Sequence, residues 1–238
     1  MRKLSARTWR GAAAATVAVL CLGTAAVGAM HTHGGRLLLA RLGVSCPINT
    51  VSAAKVLAVR EYAVSRARGS APAPSRPALG LQLDVSTEAQ VSAWAARTHS
   101  QCDAIVRGYH FLRCRGVPAA AVGEAGPPVS EMWFSFGPGN TLVALNLYRR
   151  GMTEAQVRQT WRSATERLQL SLGPPTQATG DATLTRVVTG PVAVARVHYA
   201  YTDYIAEITA SHMPYGGLAV REQYMSAVSA PGHGLPSG

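Results

Sequence analysis

Candidate catalytic side chains are scattered along this sequence rather than grouped. The carboxylates that stand near other polar residues are Asp103, Asp203, Glu207 and Glu222. Asp203 and Glu207 span a turn into a predicted strand, but no second pair at matching spacing indicates the two opposed carboxylates of a glycosidase. A hydrolase whose site is assembled by folding around His110, His198 and a carboxylate is the alternative function.

The local motifs that usually mark a catalytic or cofactor site are missing from this sequence. It has no G-x-S-x-G, no H-E-x-x-H, no phosphate-binding loop and no G-x-G-x-x-G. It also has no C-x-x-C, which removes thioredoxin-like chemistry and most small zinc sites. We therefore expect no catalytic residue, no cofactor and no metal, and the pattern favours a protein that is not an enzyme.

The first 29 residues predict an export signal. The basic residues at the start are Arg2, Lys3, Arg7 and Arg10. An uncharged run over 11–29 follows, and Val27 and Ala29 supply the small residues that signal peptidase requires before a cut between Ala29 and Met30. An uncleaved membrane anchor is the other interpretation, because about 20 residues can just span a bilayer. We expect the chain to be exported to the periplasm or the cell exterior.

The basic excess of the chain does not indicate a nucleic acid as partner. There are 23 Lys+Arg against 12 Asp+Glu, and removing the signal lowers the formal net charge from +11 to +7. Only two of the basic residues are lysine and none stand in a run longer than two, whereas phosphate binding needs clustered charge. The arginines at 149–150, 113 and 115 are expected at solvated strand or turn positions.

Three cysteines remain after the signal, in an oxidising compartment. Cys102 and Cys114 enclose 11 residues, and a bridge between them is expected to stabilise the fold by about 3 kcal/mol. Cys46 would then be free, join a partner molecule, or compete for one of the other two. A catalytic cysteine beside His110 or His99 is the functional alternative, without a local signature to favour it.

Residues 30–77 predict one helix followed by a linker. Apolar residues recur at roughly helical spacing over 50–68, and Gly69 is a natural stop. The apolar residues of this helix are Val51, Ala54, Leu57, Val59, Tyr62 and Val64. The segment 70–77 holds three prolines in eight residues, so it predicts an extended strap.

An internal repeat with an offset of 66 residues follows the linker. Leu79-Gly-Leu81 leads into Thr87-Glu-Ala-Gln-Val91, and Leu145-Asn-Leu147 leads into Thr153-Glu-Ala-Gln-Val157. In each copy, L-x-L predicts a strand with two leucines on one face. In each copy, T-x-x-Q predicts a capping box that begins a helix.

Alternating apolar residues after each predicted helix indicate antiparallel strands. The predicted strands are 109–113, 132–136, 142–148, 183–188, 193–201, 204–211 and 218–224. We expect an α+β fold of two tandem helix-plus-antiparallel-sheet units, 78–144 and 145–228, preceded by the N-terminal signal and one helix and followed by a disordered tail, 229–238. An apolar content of 47% is enough for such cores.

The densest aromatic and charged stretch lies near the end of the chain. We expect it to form an interface, because tyrosine and arginine supply anchoring contacts. The candidate interface residues are Tyr199, Tyr201, Tyr204, Arg221 and Tyr224. Ordinary packing of the tyrosines against the sheet is the alternative.

A family resemblance is carried by the second copy. Gly151-Met-Thr153-x-x-Gln156-Val157, followed by Leu172-Gly-Pro174, resembles the G-M-T-x-x-Q-V and L-G-x-P signature of the SmpA/OmlA envelope lipoproteins. The tandem arrangement is similar to the secreted β-lactamase inhibitor proteins. The helix here is longer than that family's, and the lipoprotein motif is missing. The resemblance implies a scaffold whose sheet face binds another envelope or secreted protein, with membrane contact only if the N-terminal segment stays uncleaved.

Overall fold

The computed structural model of this chain describes residues 53–106 and 110–228. The predicted export signal, Cys46 and the predicted tail from 229 lie outside the described residues.

The fold is α+β, with one antiparallel sheet of eight strands. Its strands are β1 (Gln101–Val106), β2 (His110–Val117), β3 (Val129–Phe136), β4 (Leu142–Met152), β5 (Gln177–Thr179), β6 (Ala193–Ala200), β7 (Tyr204–Met213) and β8 (Gly217–Ser226). Across the sheet they are ordered β1-β2-β3-β4-β8-β7-β6-β5. Two four-strand meanders therefore meet where β4 pairs with β8.

A capped helix precedes each meander. The α-helices described are α1 (Ala53–Ala67), α2 (Glu88–Arg97), α3 (Glu154–Leu172) and α4 (Thr185–Thr189). α2 leads into β1 through β4, and α3 leads into β5 through β8, with α4 between β5 and β6. One turn of 3-10 helix, Ala119–Val122, joins β2 to β3.

The core lies between the sheet and the helices α2 and α3. Trp94 of α2 packs edge-on against Phe134 of β3, with ring centroids 5.4 Å apart. In α3 the residues Val157, Ala164 and Leu168 follow the helical period and are fully buried. Burial of these apolar stripes fixes both helices on the same face of the sheet.

Both predicted capping boxes are present. The Thr87 hydroxyl accepts a hydrogen bond from the Gln90 backbone N–H at 3.3 Å, and the Gln90 side chain accepts one from the Thr87 N–H at 2.8 Å. Thr153 and Gln156 form the same two bonds at the same two distances. Each box satisfies two backbone N–H groups that a helix start leaves without a partner.

The two caps make a matched pair for a stability measurement. We expect Thr87→Ala and Thr153→Ala each to lower the free energy of unfolding by about 1 kcal/mol, because each removes the acceptor for one N–H. Thr153→Ser, which keeps the hydroxyl, is the control and should lose far less. Urea denaturation measures all three, and an alanine variant as stable as its serine control would contradict the role of the cap.

Two predicted strand assignments are wrong, and two strands of the sheet, β1 and β5, were not predicted. The segment 79–81 is a turn, because Leu79 and Gly80 take left-handed backbone angles. Residues 185–189 form α4 instead of a strand, because the Asp181 carboxylate accepts backbone N–H groups of Thr183 and Thr185 at 2.9 and 2.8 Å. β1 and β5 are the two edge strands, and their residues show little apolar alternation, so the pattern does not predict them.

α1 is confirmed as a helix, and the described residues of its predicted apolar stripe differ in burial. Val59 and Tyr62 are exposed, and Val64 is the buried residue that packs on Ile205 and Ala227. The strap that follows has no helix or regular strand, as its prolines predict.

Candidate functional site

The two faces of the sheet differ in what covers them. The helices α2 and α3 cover one face, and the strand side chains on it belong to the core. The open face, as we call it, consists of the strand residues that point away from α2 and α3, since successive side chains alternate sides. One end of this face is covered by α1, which packs on Ile205 and Met225. One row across the open face, from β1 to β5, is Asp103, Arg113, Trp133, Asn146, Gln223, Glu207, His198 and Gln177. The adjacent row is Gln101, Arg115, Glu131, Tyr148, Arg221, Thr209, Arg196 and Thr179.

Trp133 is the centre of an aromatic group on the open face. The Phe111 ring meets it edge-on, with centroids 6.2 Å apart. The Arg113 guanidinium lies over the indole, 5.3 Å from its centroid. A cation in this position is attracted by the negative face of the ring, with a contribution of about 0.5–1 kcal/mol where solvent is near.

Tyr148 is flanked by two arginines, and we call these three residues the Tyr148 clamp. The carbon centres of the guanidinium groups of Arg150 and Arg221 lie 5.3 and 5.7 Å from the ring centroid. Arg221 also donates to the Asn146 side-chain oxygen at 3.1 Å, and to Gln223. The ring and these acceptors hold the guanidinium groups in place, so less rotamer freedom is lost when a ligand binds them.

Carboxylates of the open face lie between its arginines. Asp103 accepts a hydrogen bond from Arg115 at 2.7 Å. Glu131 lies 3.6 Å from Arg113 and 3.5 Å from Arg150, distances that indicate charge attraction more than strong hydrogen bonding. The result is a surface of alternating sign in which each carboxylate faces arginine.

Glu207 carries the largest set of partners on the open face. His198 Nδ1 and Arg196 Nε each lie 3.6 Å from its carboxylate, and the Thr209 hydroxyl donates to it at 3.1 Å. The contact with His198 is the strongest of the effects that lower the pKa of Glu207, and partial burial opposes it. Glu207 is therefore charged at neutral pH and attracts the guanidinium groups of Arg196 and Arg221.

Three residues of the predicted interface lie in the core instead. Tyr199, Tyr204 and Tyr224 are each 1% exposed or less, on the face that α2 and α3 cover. This corrects the prediction for these three, because a buried ring has no surface to offer a partner. Tyr204 donates to the Pro77 carbonyl at 2.5 Å, and burial raises its pKa well above the usual value.

The other two predicted interface residues lie on opposite sides of the sheet. Tyr201 is half-buried and donates to the Leu172 carbonyl at 2.7 Å, so it anchors the end of α3. Arg221 lies on the open face as part of the Tyr148 clamp. It is the one predicted interface residue that belongs to the surface described above.

The histidines of the hydrolase alternative do not come together. His110 lies on the helix-covered face, where its Nδ1 is 3.5 Å from Glu88 of α2. His198 lies on the open face beside Glu207. Because the sheet separates them, no single site contains both.

Arg149 corrects the expectation that the doublet at 149–150 is solvated. It is 1% exposed, whereas Arg150 is on the open face. Its guanidinium donates to Glu222 at 2.6 Å and to Glu124 at 2.5 Å. Arg167 of α3 donates to the other oxygens of the same two carboxylates, at 2.5 Å each.

We call these four residues the buried ion ring. They are Glu124, Arg149, Arg167 and Glu222. The Tyr224 hydroxyl also donates to Glu222 at 2.5 Å. Burial, with the nearby charge of Glu222, raises the pKa of both Glu124 and Tyr224.

The buried ion ring is a structural network. Its charges cancel, and Arg149 and Glu222 have almost no surface in contact with solvent. A substrate has no access to them, so the ring joins β4, α3, β8 and the segment after β2 instead of forming a reaction site.

The described residues bear on three further kinds of site: a metal site, a membrane-spanning helix and a ligand cleft. Within residues 53–106 and 110–228 no group of His, Cys, Asp and Glu is arranged to hold a metal ion. In the same ranges no helix is both long and apolar enough to cross a membrane. A shallow cleft of about 460 Å³ lies beside α2, lined by Trp94, Arg97 and the turn at 80–82, and no charged group is buried in it.

Strand parity is the signal that identifies the residues missed by the sequence prediction. Leu145 and Leu147 point to the core, so Tyr148 must point away and Arg149 must point inward. The same rule places Trp133 on the open face, between the buried Met132 and Phe134.

Comparisons with protein-family models, with curated proteins and with solved structures each find no match to this chain.

Proposed function

We propose that this chain is an exported protein-binding module whose open face contacts another envelope or secreted protein. The observation that carries the proposal is the group formed by Trp133, Arg113 and the Tyr148 clamp on that face. Tryptophan, tyrosine and arginine are the residue types that dominate binding energy in protein interfaces. Here they lie together on the sheet face opposite α2 and α3, and α1 packs on that face at Ile205 and Met225.

We also propose that the sheet is a tandem repeat of two units, 78–144 and 145–228 as the sequence divides them. The strand β4 (Leu142–Met152) crosses this boundary and completes the first meander. Two capping boxes 66 residues apart support the repeat, since each is followed by a four-strand meander. The resemblance to the SmpA/OmlA family and to the tandem β-lactamase inhibitor proteins supports it further. In such an arrangement the two units contribute strands to one continuous contact surface.

Export is supported by two independent features. The first ten residues include four basic ones and no acidic one, and an uncharged run over 11–29 follows, as in a signal peptide. The disulfide between Cys102 and Cys114 suits an oxidising compartment. Both features agree with a partner in the envelope or outside the cell.

Photo-crosslinking in the host that carries the gene tests the proposed contact surface. A photoreactive phenylalanine derivative is placed at Ser135 or Ser211 on the open face of the full chain. We expect a protein adduct of the same partner at both positions. The matched control is Leu170 of α3, which is 90% exposed on the opposite side and should give no such adduct.

A second variant links the adduct to the residues that carry the proposal. Trp133→Ala in the Ser135 chain is expected to abolish the adduct, since the aromatic anchor is lost. Adducts of equal yield at Leu170, or none at the two serines, would overturn the proposed contact surface.

A further inference from the structure

We infer that the partner of the open face is an acidic protein surface, whose carboxylates bind at the Tyr148 clamp. This inference rests on the proposed function and adds the chemistry of the partner. It follows from the charge, the geometry and the exposure of the arginines on the open face.

The open face carries more positive than negative charge. Among the described residues its arginines are Arg113, Arg115, Arg150, Arg196 and Arg221. Its carboxylates are Asp103, Glu131 and Glu207. Each carboxylate lies within 4 Å of at least two arginines of the same face. The unbalanced charge is positive, and it favours a negative partner.

Several of these arginines keep hydrogen-bonding capacity for a ligand. Arg150 and Arg196 contact their carboxylates at 3.5 and 3.6 Å, longer than a strong charged hydrogen bond. Their side chains are 59% and 50% exposed. Each guanidinium has five N–H donors, so carboxylates of a partner can bind in pairs of parallel bonds.

The Tyr148 clamp prepares two of these groups for binding. Arg150 and Arg221 both lie against the same ring, which limits how far each guanidinium can turn. A group that is already placed loses less entropy when a carboxylate binds. Tyr148 also supplies an apolar surface for the carbon atoms of an acidic side chain.

The alternating charge favours a protein over a nucleic acid. Asp103, Glu131 and Glu207 interrupt the arginines within the same two rows. A phosphate backbone is uniformly negative and would be repelled at each of these carboxylates, whereas a protein can place its acidic groups opposite arginine alone.

Selection from a phage-displayed library of random 12-residue peptides tests the inference on the intact mature protein. We expect the enriched peptides to carry more Asp and Glu than Lys and Arg. We expect their affinity to fall about 30-fold or more in Arg150→Gln/Arg221→Gln, a loss typical of interface anchors. Affinity should also fall as salt concentration rises, since the contact is between charges.

Arg162→Gln is the matched control, because this arginine is exposed on α3 away from the open face. It removes one charge and should leave affinity unchanged. Thermal unfolding of each variant checks that it is folded. Arg150→Gln alone keeps the test valid if the double variant is unstable, since Arg150 is exposed.

The outcomes separate the inference from the proposed function. If the enriched peptides are neutral or basic and their binding is lost in Trp133→Ala, the inference of an acidic partner is wrong. The proposed contact surface is then still supported. If peptide affinity is unchanged in Trp133→Ala and in both arginine variants, the inference and the proposed contact surface are both wrong. Failure to enrich acidic peptides, or tighter binding of a 20-nucleotide thymidine strand than of any selected peptide, also overturns the inference.

Discussion

Replacing Arg149 by methionine is expected to lower the free energy of unfolding by about 3–5 kcal/mol. Arg149 is buried and neutralises Glu222, which is 0% exposed, and Glu124. Removing it leaves carboxylates with too little positive charge, in a place that water does not reach. Because a domain of this size is stable by only about 5–15 kcal/mol, this is a large share of the total.

Arg150→Met is the matched control for this measurement. It makes the same chemical change one residue later, on an exposed side chain that pairs with Glu131 at 3.5 Å. An exposed ion pair contributes about 0–1 kcal/mol to stability, so we expect Arg150→Met to lower the free energy of unfolding only slightly. Urea denaturation of both variants measures the difference. Equal losses would show that the ring does not stabilise the fold as its burial indicates.

A second variant separates the cost of unpaired charge from the value of the ring itself. All four members of the buried ion ring are replaced by Leu or Met, and Tyr224→Phe removes the remaining hydroxyl. Replacing a whole buried ion network by apolar residues is often neutral or stabilising. We therefore expect this variant to recover most of the stability lost in Arg149→Met. If this variant is as unstable as Arg149→Met, the interactions within the buried ion ring stabilise the fold by more than the desolvation of its charges destabilises it.

Removing the disulfide by Cys102→Ala/Cys114→Ala is expected to lower the free energy of unfolding by about 3 kcal/mol. The two cysteines are directly opposite in the β1–β2 pair, with their Cα atoms 4.0 Å apart. The bridge reduces the conformational freedom of the unfolded chain, and Cys114 is fully buried as part of the core. Guanidinium denaturation measures the loss.

Hydrogen exchange shows where the loss is concentrated. β1 is an edge strand with mostly exposed side chains, so it has few other contacts to hold it. We expect its amides to lose protection first, while those of the central strand β7 change only with global stability. Reductant should destabilise the native protein and leave the double variant unchanged. Equal loss of protection in β1 and β7 would contradict a local role.

Much of the local structure was predictable from the sequence because it depends on neighbouring residues. A threonine with a glutamine three positions later sets the start of α2 and of α3. Three prolines in eight residues exclude a helix from the strap. The disulfide followed from the short separation of Cys102 and Cys114.

The candidate site was harder to predict, because it depends on which face of the sheet each residue occupies. Tyr199, Tyr204 and Tyr224 appeared as a dense aromatic group, yet their positions in the strands turn all three toward α2 and α3. Trp133 and Tyr148 are far from them in sequence and lie on neighbouring strands of the open face, β3 and β4.

The sequence by itself therefore determined the capped helices, most of the strands and the cysteine pair, since these depend on hydrogen bonds and contacts between residues close along the chain. Only the tertiary structure decided that Glu124, Arg149, Arg167 and Glu222 form one ring, and that arginines and aromatic residues from separate strands share the open face. The order and register of strands bring these residues together, and both depend on burying an apolar face against α2 and α3, over distances that local patterns do not encode.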